Sequence, residues 1–274
     1  MCPNAGSSDT QTDLWSSTYG PPIANRLNAH APGSNLTGQD ISNLIPLCAF
    51  ETAAKNSLSP FCGIFTHEEF AQYEYWSDLD KYYGTGYVFF LVLVIFFFSL
   101  SIYRYGQALG PVQGVGYINE LLARLTGLPV QDNTQTNRTL NSSPITFPLN
   151  RTLYADFSHD NEMIAIYAAL GLFKQTVPLD PTKPNPGRTW ITSHLTPFSG
   201  RMVTERLSCL IPGNRTSQTE ANSNVYVRIL VDDALQPLEF CGANEDGICQ
   251  LDAFVESQSY ARNDGEGDFE KCYA

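Results

Sequence analysis

Apolar residues recur at the three-and-four spacing of a helix face from Ile23 to Leu27 and again from Leu36 to Leu47. Thr37-Gly-Gln-Asp40 ahead of Ile41 supplies a helix start, whereas residues 1–20 are polar and read as a loop. Thr66-His67-Glu68-Glu69 has the form of a capping box and opens a helix through about Tyr83, with aromatics at 70, 73, 76 and 83. Gly84-Thr-Gly86 closes it. Val115, Ile118, Leu121, Leu122 and Leu125 mark a further helix within Pro111–Thr126, and residues 127–149 read as an ordered loop. The texture then changes. Thr152–Phe157 alternates like a buried strand and stops at Ser158-His159-Asp160; Asn161–Phe173 follows as an apolar helix. After a proline-rich loop over 174–190, Arg201–Cys209 and Val225–Val231 read as strands, with Asp232-Asp233 turning the second back into Leu235–Leu238. Helices come first, then strands with one intervening helix, which is the order of part of an α/β domain joined to a helical layer.

One segment interrupts this pattern. Val88–Tyr103 is apolar apart from Ser99 and Ser101, and as a helix it would be about 24 Å long, short of the roughly 30 Å hydrocarbon core. Tyr87 and Tyr105 as interfacial aromatics nearly complete a membrane span, but a span would split two parts of one soluble domain. A buried strand would be too long and too uniform. The reading that fits both flanks is a foreign insertion, a translated intron retained in the gene model. Without Val88–Tyr105, Gly84-Thr-Gly-Tyr87 joins Gly106-Gln-Ala-Leu-Gly110 as one glycine-rich turn.

Charge narrows the function classes. Twenty-eight acidic against 16 basic groups give a net charge of −12, which argues against a nucleic-acid partner. Seven cysteines without a Cys-x-x-Cys pair or a Cys/His cluster give no zinc-site spacing. Sequons at Asn35, Asn137, Asn141, Asn150 and Asn214, taken with the scattered cysteines, point to an oxidising, glycosylating secretory route and an extracellular protein; membrane attachment is the alternative, through 88–103 alone. Met1-Cys2-Pro3-Asn4 leads into a polar stretch with no leader character, so the true N-terminus is expected upstream.

The motifs then converge. Leu58-Ser-Pro-Phe-Cys62, Phe65-Thr-His67, Lys81-Tyr-Tyr-Gly84, Leu109-Gly-Pro-Val-Gln-Gly114, Asn119-Glu-Leu-Leu-Ala-Arg-Leu-Thr126, Thr146-Phe-Pro-Leu149, Tyr154-Ala-Asp-Phe-Ser-His-Asp-Asn161 and Tyr260-Ala-Arg262 with Cys272 resemble the fungal phytase branch of the histidine acid phosphatases. The resemblance covers nearly the whole chain apart from 88–105. It implies an α/β fold, an incomplete histidine-phosphatase-like sheet domain (150–274) with an attached, mainly helical subdomain (1–149). It also implies disulfides Cys48–Cys62, Cys241–Cys249 and Cys2–Cys272, leaving Cys209 without its partner.

The resemblance implies hydrolysis of phosphate monoesters at acidic pH, without a metal or organic cofactor. In this family a histidine in Arg-His-Gly-x-Arg-x-Pro attacks phosphorus and a His-Asp motif protonates the leaving alcohol, which would otherwise depart as a poor alkoxide. Asp160 is the expected proton donor, His159 a phosphate ligand, and Asn161 a substrate neighbour. A helix starting there would itself favour a phosphate; the competing reading is that Ser158-His159-Asp160 only caps that helix. Lys55, the single basic residue between Cys48 and Cys62, is the expected counterpart of the substrate-binding lysines in that loop of related phytases. His30 and His67 read as surface residues and His194 as a loop residue. No Arg-His-Gly occurs, so the nucleophile is expected upstream of Met1 and the isolated chain is expected to be inactive. The expected partner is a small phosphorylated substrate, phytate or a related inositol phosphate. A broad-specificity acid phosphatase and a non-catalytic or membrane-tethered relative are the alternatives.

Overall fold

A computed structural model describes residues 2–84, 106–209 and 225–274. The apolar segment at 88–105 and the sequon at Asn214 lie outside the described residues, so the insertion and membrane readings are not addressed by them. Among the described residues, no helix is long and apolar enough to cross a membrane.

The helical part contains α1 (Asp9–His30), α2 (Gly38–Leu44), α3 (Leu47–Lys55), α4 (His67–Gly84) and α5 (Val115–Thr126). A short α6 (Arg138–Asn141) lies in the loop after α5, and α7 (Asp160–Leu170) and the single turn α8 (Thr192–Leu195) follow. Strands β1 (Met202–Ser208), β2 (Val225–Val231), β3 (Ala234–Leu235) and β4 (Cys249–Gln250) precede α9 (Leu251–Ser257), α10 (Ser259–Arg262) and α11 (Asp268–Lys271). The small sheet is antiparallel. β2 is central, with β1 paired from Met202↔Val231 to Ser208↔Val225, and β3 and β4 both paired to β2. Val225, Val227, Ile229 and Val231 are buried while the residues between them are half-exposed, as one covered sheet face requires. Asp232 and Asp233 have φ of 49° and 66°, and two such residues make the tight turn into β3 whose twist suits a hairpin.

From Asp9 onward the N-terminal stretch is helix, not loop: α1 buries Trp15, Tyr19, Ile23 and Ala24 along one face. Pro21-Pro22 and the polar first turns mask that stripe in the sequence, but tertiary packing overrides local propensity. Trp15 donates its indole N–H to the Gln72 carbonyl at 2.8 Å, and Arg26 pairs with Glu69 at 2.6 Å, so α1 is fastened along α4. The two helix starts read from sequence are present: Thr37 exchanges hydrogen bonds with Asp40, and Thr66 does so with Glu69. On α4 the fully buried stripe is Tyr75, Leu79 and Tyr82; the aromatics at 70, 73, 76 and 83 are only partly buried.

A second correction concerns Thr152–Phe157. These residues adopt no regular structure and pair with no strand, and Leu153 and Phe157 are 81% and 98% exposed. Period-two alternation makes a strand only where a partner edge receives its hydrogen bonds, and none of the described strands offers one.

The ends of the chain are joined by Cys2–Cys272, and Cys48–Cys62 and Cys241–Cys249 close local loops, while Cys209 is a free, exposed thiol. The two flanks of the 85–105 segment also meet. Gly106 lies so close to Tyr82 that a Cβ would stand 2.4 Å from its carbonyl oxygen, and Gln107 donates to the Gly6 carbonyl at 2.9 Å.

Candidate active site

α7 begins where a chain segment leaves the surface for the core. Its last seven residues, Ile164–Leu170, are buried, and Gly171 ends it with φ 87°. Gly114 backs directly onto it, since a Cβ there would lie 2.4 Å from the Ala165 carbonyl. The helix axis is therefore fixed and its N-terminus faces outward.

His159 is the N-cap. Its Nδ1 accepts from the Glu162 amide at 3.2 Å, while its backbone carbonyl accepts from Met163. An Nδ1 that accepts is unprotonated, so in that tautomer the ring proton sits on Nε2. The capping reading is thus correct for one ring nitrogen and leaves the other available. Asp160 follows at the first helical position, its Oδ1 accepting from the Asn161 amide at 2.9 Å.

Lys81, from the last turn of α4, completes the group. Its Nζ lies 2.7 Å from Asp160 Oδ2 and donates to Asn161 Oδ1 at 2.6 Å. It is also 3.5 Å from Asp80 Oδ2. Only 15% of the Lys81 side chain is exposed, against 52% for Asp160. Partial burial pushes the Asp160 carboxyl up, but the Lys81 hydrogen bond and charge, the Asn161 amide and His159 outweigh it and hold the group below the usual carboxylate range.

Both sides of this junction are braced. On α4, Asp78 is fully buried, pairs with Arg188 at 2.6 Å and accepts from the Thr192 amide at 2.6 Å, which clamps the 174–195 loop against the helix. Burial pushes the Asp78 carboxyl up to about 6 in spite of these donors. The Tyr75 and Tyr83 hydroxyls tie the same loop through the carbonyls of Asp180 and Leu179. On the α7 side, Arg124 of α5 forks onto both oxygens of Asp156 and lies 4.9 Å from the Phe147 ring centre and 5.1 Å from that of Tyr154. This guanidinium holds the irregular segment that delivers His159 and Asp160.

Three of the four residues singled out in the sequence, His159, Asp160 and Asn161, are therefore brought together. Lys55 is exposed at the end of α3 and pairs with Glu51 one turn earlier. The cation at the group is Lys81, a residue of the Lys81-Tyr-Tyr-Gly84 motif whose membership nothing local in the sequence announces. His30, His67 and His194 are all exposed. His67 starts α4, His30 ends α1, and His194 sits in α8 rather than in a loop. Among the described residues no cluster of three or more His, Cys, Asp or Glu side chains has a metal-holding arrangement.

Comparison with known proteins gives the family of the whole chain. Residues 2–232 match the model of the histidine phosphatase superfamily, branch 2. Phytase A of Arthroderma benhamiae is 39% identical over 272 residues, covering 97% of this chain and 54% of that protein. Phytase A of Aspergillus oryzae is 39% identical over 278 residues, covering 99% and 53%. The crystal structure of the phytase from D. castellii superposes with a TM-score of 0.68 at 25% identity, over 95% of this chain and 46% of that one. The chain spans about half the length of the curated relatives it matches. It belongs to branch 2 of the histidine phosphatase superfamily.

Proposed function

We propose that this chain carries the leaving-group half of a phytase-type phosphomonoesterase site. The observation that supports it is the convergence of Lys81 from α4 with Asp160 and Asn161 at the N-terminus of α7, where His159 is the N-cap. A phosphate seated there meets a helix N-terminus, one ammonium and one imidazole N–H, three elements suited to its charge. When phosphate takes Lys81, Asp160 loses the partner that keeps it ionised and gains an anionic neighbour. Both changes raise its affinity for a proton. The protonated carboxyl then gives its proton to the ester oxygen as the P–O bond breaks and that oxygen takes the bonding pair. In the family chemistry the phosphoryl group passes to a histidine imidazole. The four histidines here are 30, 67, 159 and 194, and none stands in Arg-His-Gly.

The substrate class follows the relatives, whose name is phytase A: phosphate monoesters of the inositol phosphate type. Three disulfides and five sequons support an oxidising, secretory setting.

The test is phosphate release at pH 5. The 274-residue chain alone is expected to give none above blank. A fusion behind the first half of the Aspergillus oryzae phytase A is expected to hydrolyse both glycerol phosphate and 4-nitrophenyl phosphate. Asp160→Asn in that fusion should cost far more on glycerol phosphate, whose leaving group needs the proton. Equal losses on the two esters would contradict the assignment of Asp160.

A further inference from the structure

The loop after α5 meets the C-terminal stretch around a polar cavity of about 340 Å³, whose lining includes none of the residues of the site above. Its walls are hydrogen-bonded to one another. Asp264 accepts from the Asn133 amide at 2.8 Å and from the Asn133 side chain at 2.6 Å. Asn119 of α5 donates to Asp132 at 2.9 Å and to the Ala261 carbonyl at 3.0 Å, tying both walls to one helix. Gly265, with φ 78°, packs so closely on Val112 that a Cβ would stand 2.6 Å from it, which pins the turn carrying Asp264. Arg138 and Arg262 line this cavity. Among the described residues neither has a carboxylate within ion-pair distance, in a chain with 28 acidic against 16 basic groups. Neutral oxygens hold them instead: Arg138 donates to the Asn133 side-chain oxygen, and Arg262 to the Val255 carbonyl at 3.3 Å. A guanidinium positioned by a neutral acceptor keeps its full charge and most of its N–H donors.

We infer that this cavity is a second anion site, separate from the hydrolytic one, which takes a single phosphoryl group, inorganic phosphate foremost, at Arg138 and Arg262. The carboxylates of the cavity do not compete for the two cations. Both oxygens of Asp264 are taken by Asn133, and both oxygens of Asp132 by Asn119, Thr134 and Thr136. Asn141 and Ser142 also line the cavity and add an amide and a hydroxyl. A tetrahedral oxyanion offers separate oxygens to two guanidinium forks at once, whereas a planar carboxylate is used up by one. The volume lies at the lower end for small-molecule pockets, which suits one phosphoryl group and its waters rather than a polyphosphorylated ring. The inference does not require the phosphomonoesterase reading; where that reading holds, the site takes up the reaction's own product.

The experiment is an amide NMR titration of the full 274-residue chain with inorganic phosphate, with acetate at equal ionic strength as the control. Saturable shifts at Asn133, Asn141 and Ser142 are expected with phosphate and not with acetate. Arg138→Gln and Arg262→Gln are each expected to weaken that binding about tenfold or more, since each removes charge-assisted hydrogen bonds. Both side chains are exposed, so the variants should keep the far-UV spectrum of the parent. Arg262→Lys, which keeps the charge without the fork, should fall between Arg262→Gln and the unaltered chain. Lys81→Gln should leave these shifts in place. Absence of saturable shifts here, equal shifts with acetate, or binding unchanged in both Arg→Gln variants would overturn the inference. Failure of the phosphomonoesterase reading looks different: shifts at Asn133, Asn141 and Ser142 would persist with none at Asn161.

Discussion

Arg124 is the residue through which the helical layer controls the segment leading into His159. Replacing it with Gln removes the bidentate bond to Asp156 and both ring contacts, to Phe147 and Tyr154. The guanidinium side chain is only 13% exposed, but Asp156 is 41% exposed, so the ion pair is discounted for solvent screening. An exposed-type pair contributes about 0.5–1 kcal/mol and each cation–ring contact about 0.5–1 kcal/mol, or about 2 kcal/mol together. No backbone hydrogen bond of regular structure holds 152–157, so this loss falls on local opening of the segment rather than on global unfolding. An anchor weaker by about 2 kcal/mol opens roughly thirtyfold more often. The assay is limited chymotryptic digestion, with mass spectrometry locating cuts after Tyr154 and Phe157. Under conditions where reclosing outpaces cleavage, the cutting rate reports the open population. The Arg124→Gln protein is expected to be cut there tens of times faster, with its urea midpoint nearly unchanged. Arg124→Lys should recover only part of the protection, because an ammonium cannot fork onto a carboxylate. Equal cutting rates in Arg124→Gln and the unaltered chain would refute the claim that Arg124 anchors this segment.

Other consequences concern charge and chain continuity. Lys81→Gln removes the main groups that hold the Asp160 carboxyl down, so carbon-detected NMR should find Asp160 titrating at higher pH in that variant; a lower value would contradict the pairing. Asp78 is raised to about 6 by burial, so its contribution to stability is full below the ordinary aspartate range and is lost as pH rises through about 6. Self-repulsion at a net charge of −12 acts in the same direction. The urea midpoint is expected to be higher at pH 4.5 than at pH 7.5, and the opposite order would show the Arg188 pair outweighing burial. Because Gly106 packs on Tyr82, a variant lacking 88–105 should keep the three disulfides and the far-UV spectrum of the parent, as peptide mapping and circular dichroism can check.

What could be read from sequence was what is decided locally. The Thr37/Asp40 and Thr66/Glu69 boxes are satisfied within one helical turn, and the Asp232-Asp233 turn within two residues, so their signatures survive in any context. The start of α1 was not legible, because Trp15, Tyr19 and Ile23 gain their meaning only from α2 and α4 packed against them. Thr152–Phe157 carries an alternation that is real but unanswered, since none of the described strands pairs with it. The site divides the same way. His159, Asp160 and Asn161 are contiguous and sit at a helix start, both visible in the sequence. Lys81 reaches Asn161 across eighty residues, and only the packing of α4 beside α7 brings it there.

A phosphate seated at the His159–Asp160–Lys81 junction is expected to show itself in an amide NMR titration of the 274-residue chain with inorganic phosphate at pH 5. Saturable shifts at Asn161 and Glu162, absent in Lys81→Gln, are the expected result. Saturable shifts confined to another surface, or shifts at Asn161 that persist without Lys81, would contradict it.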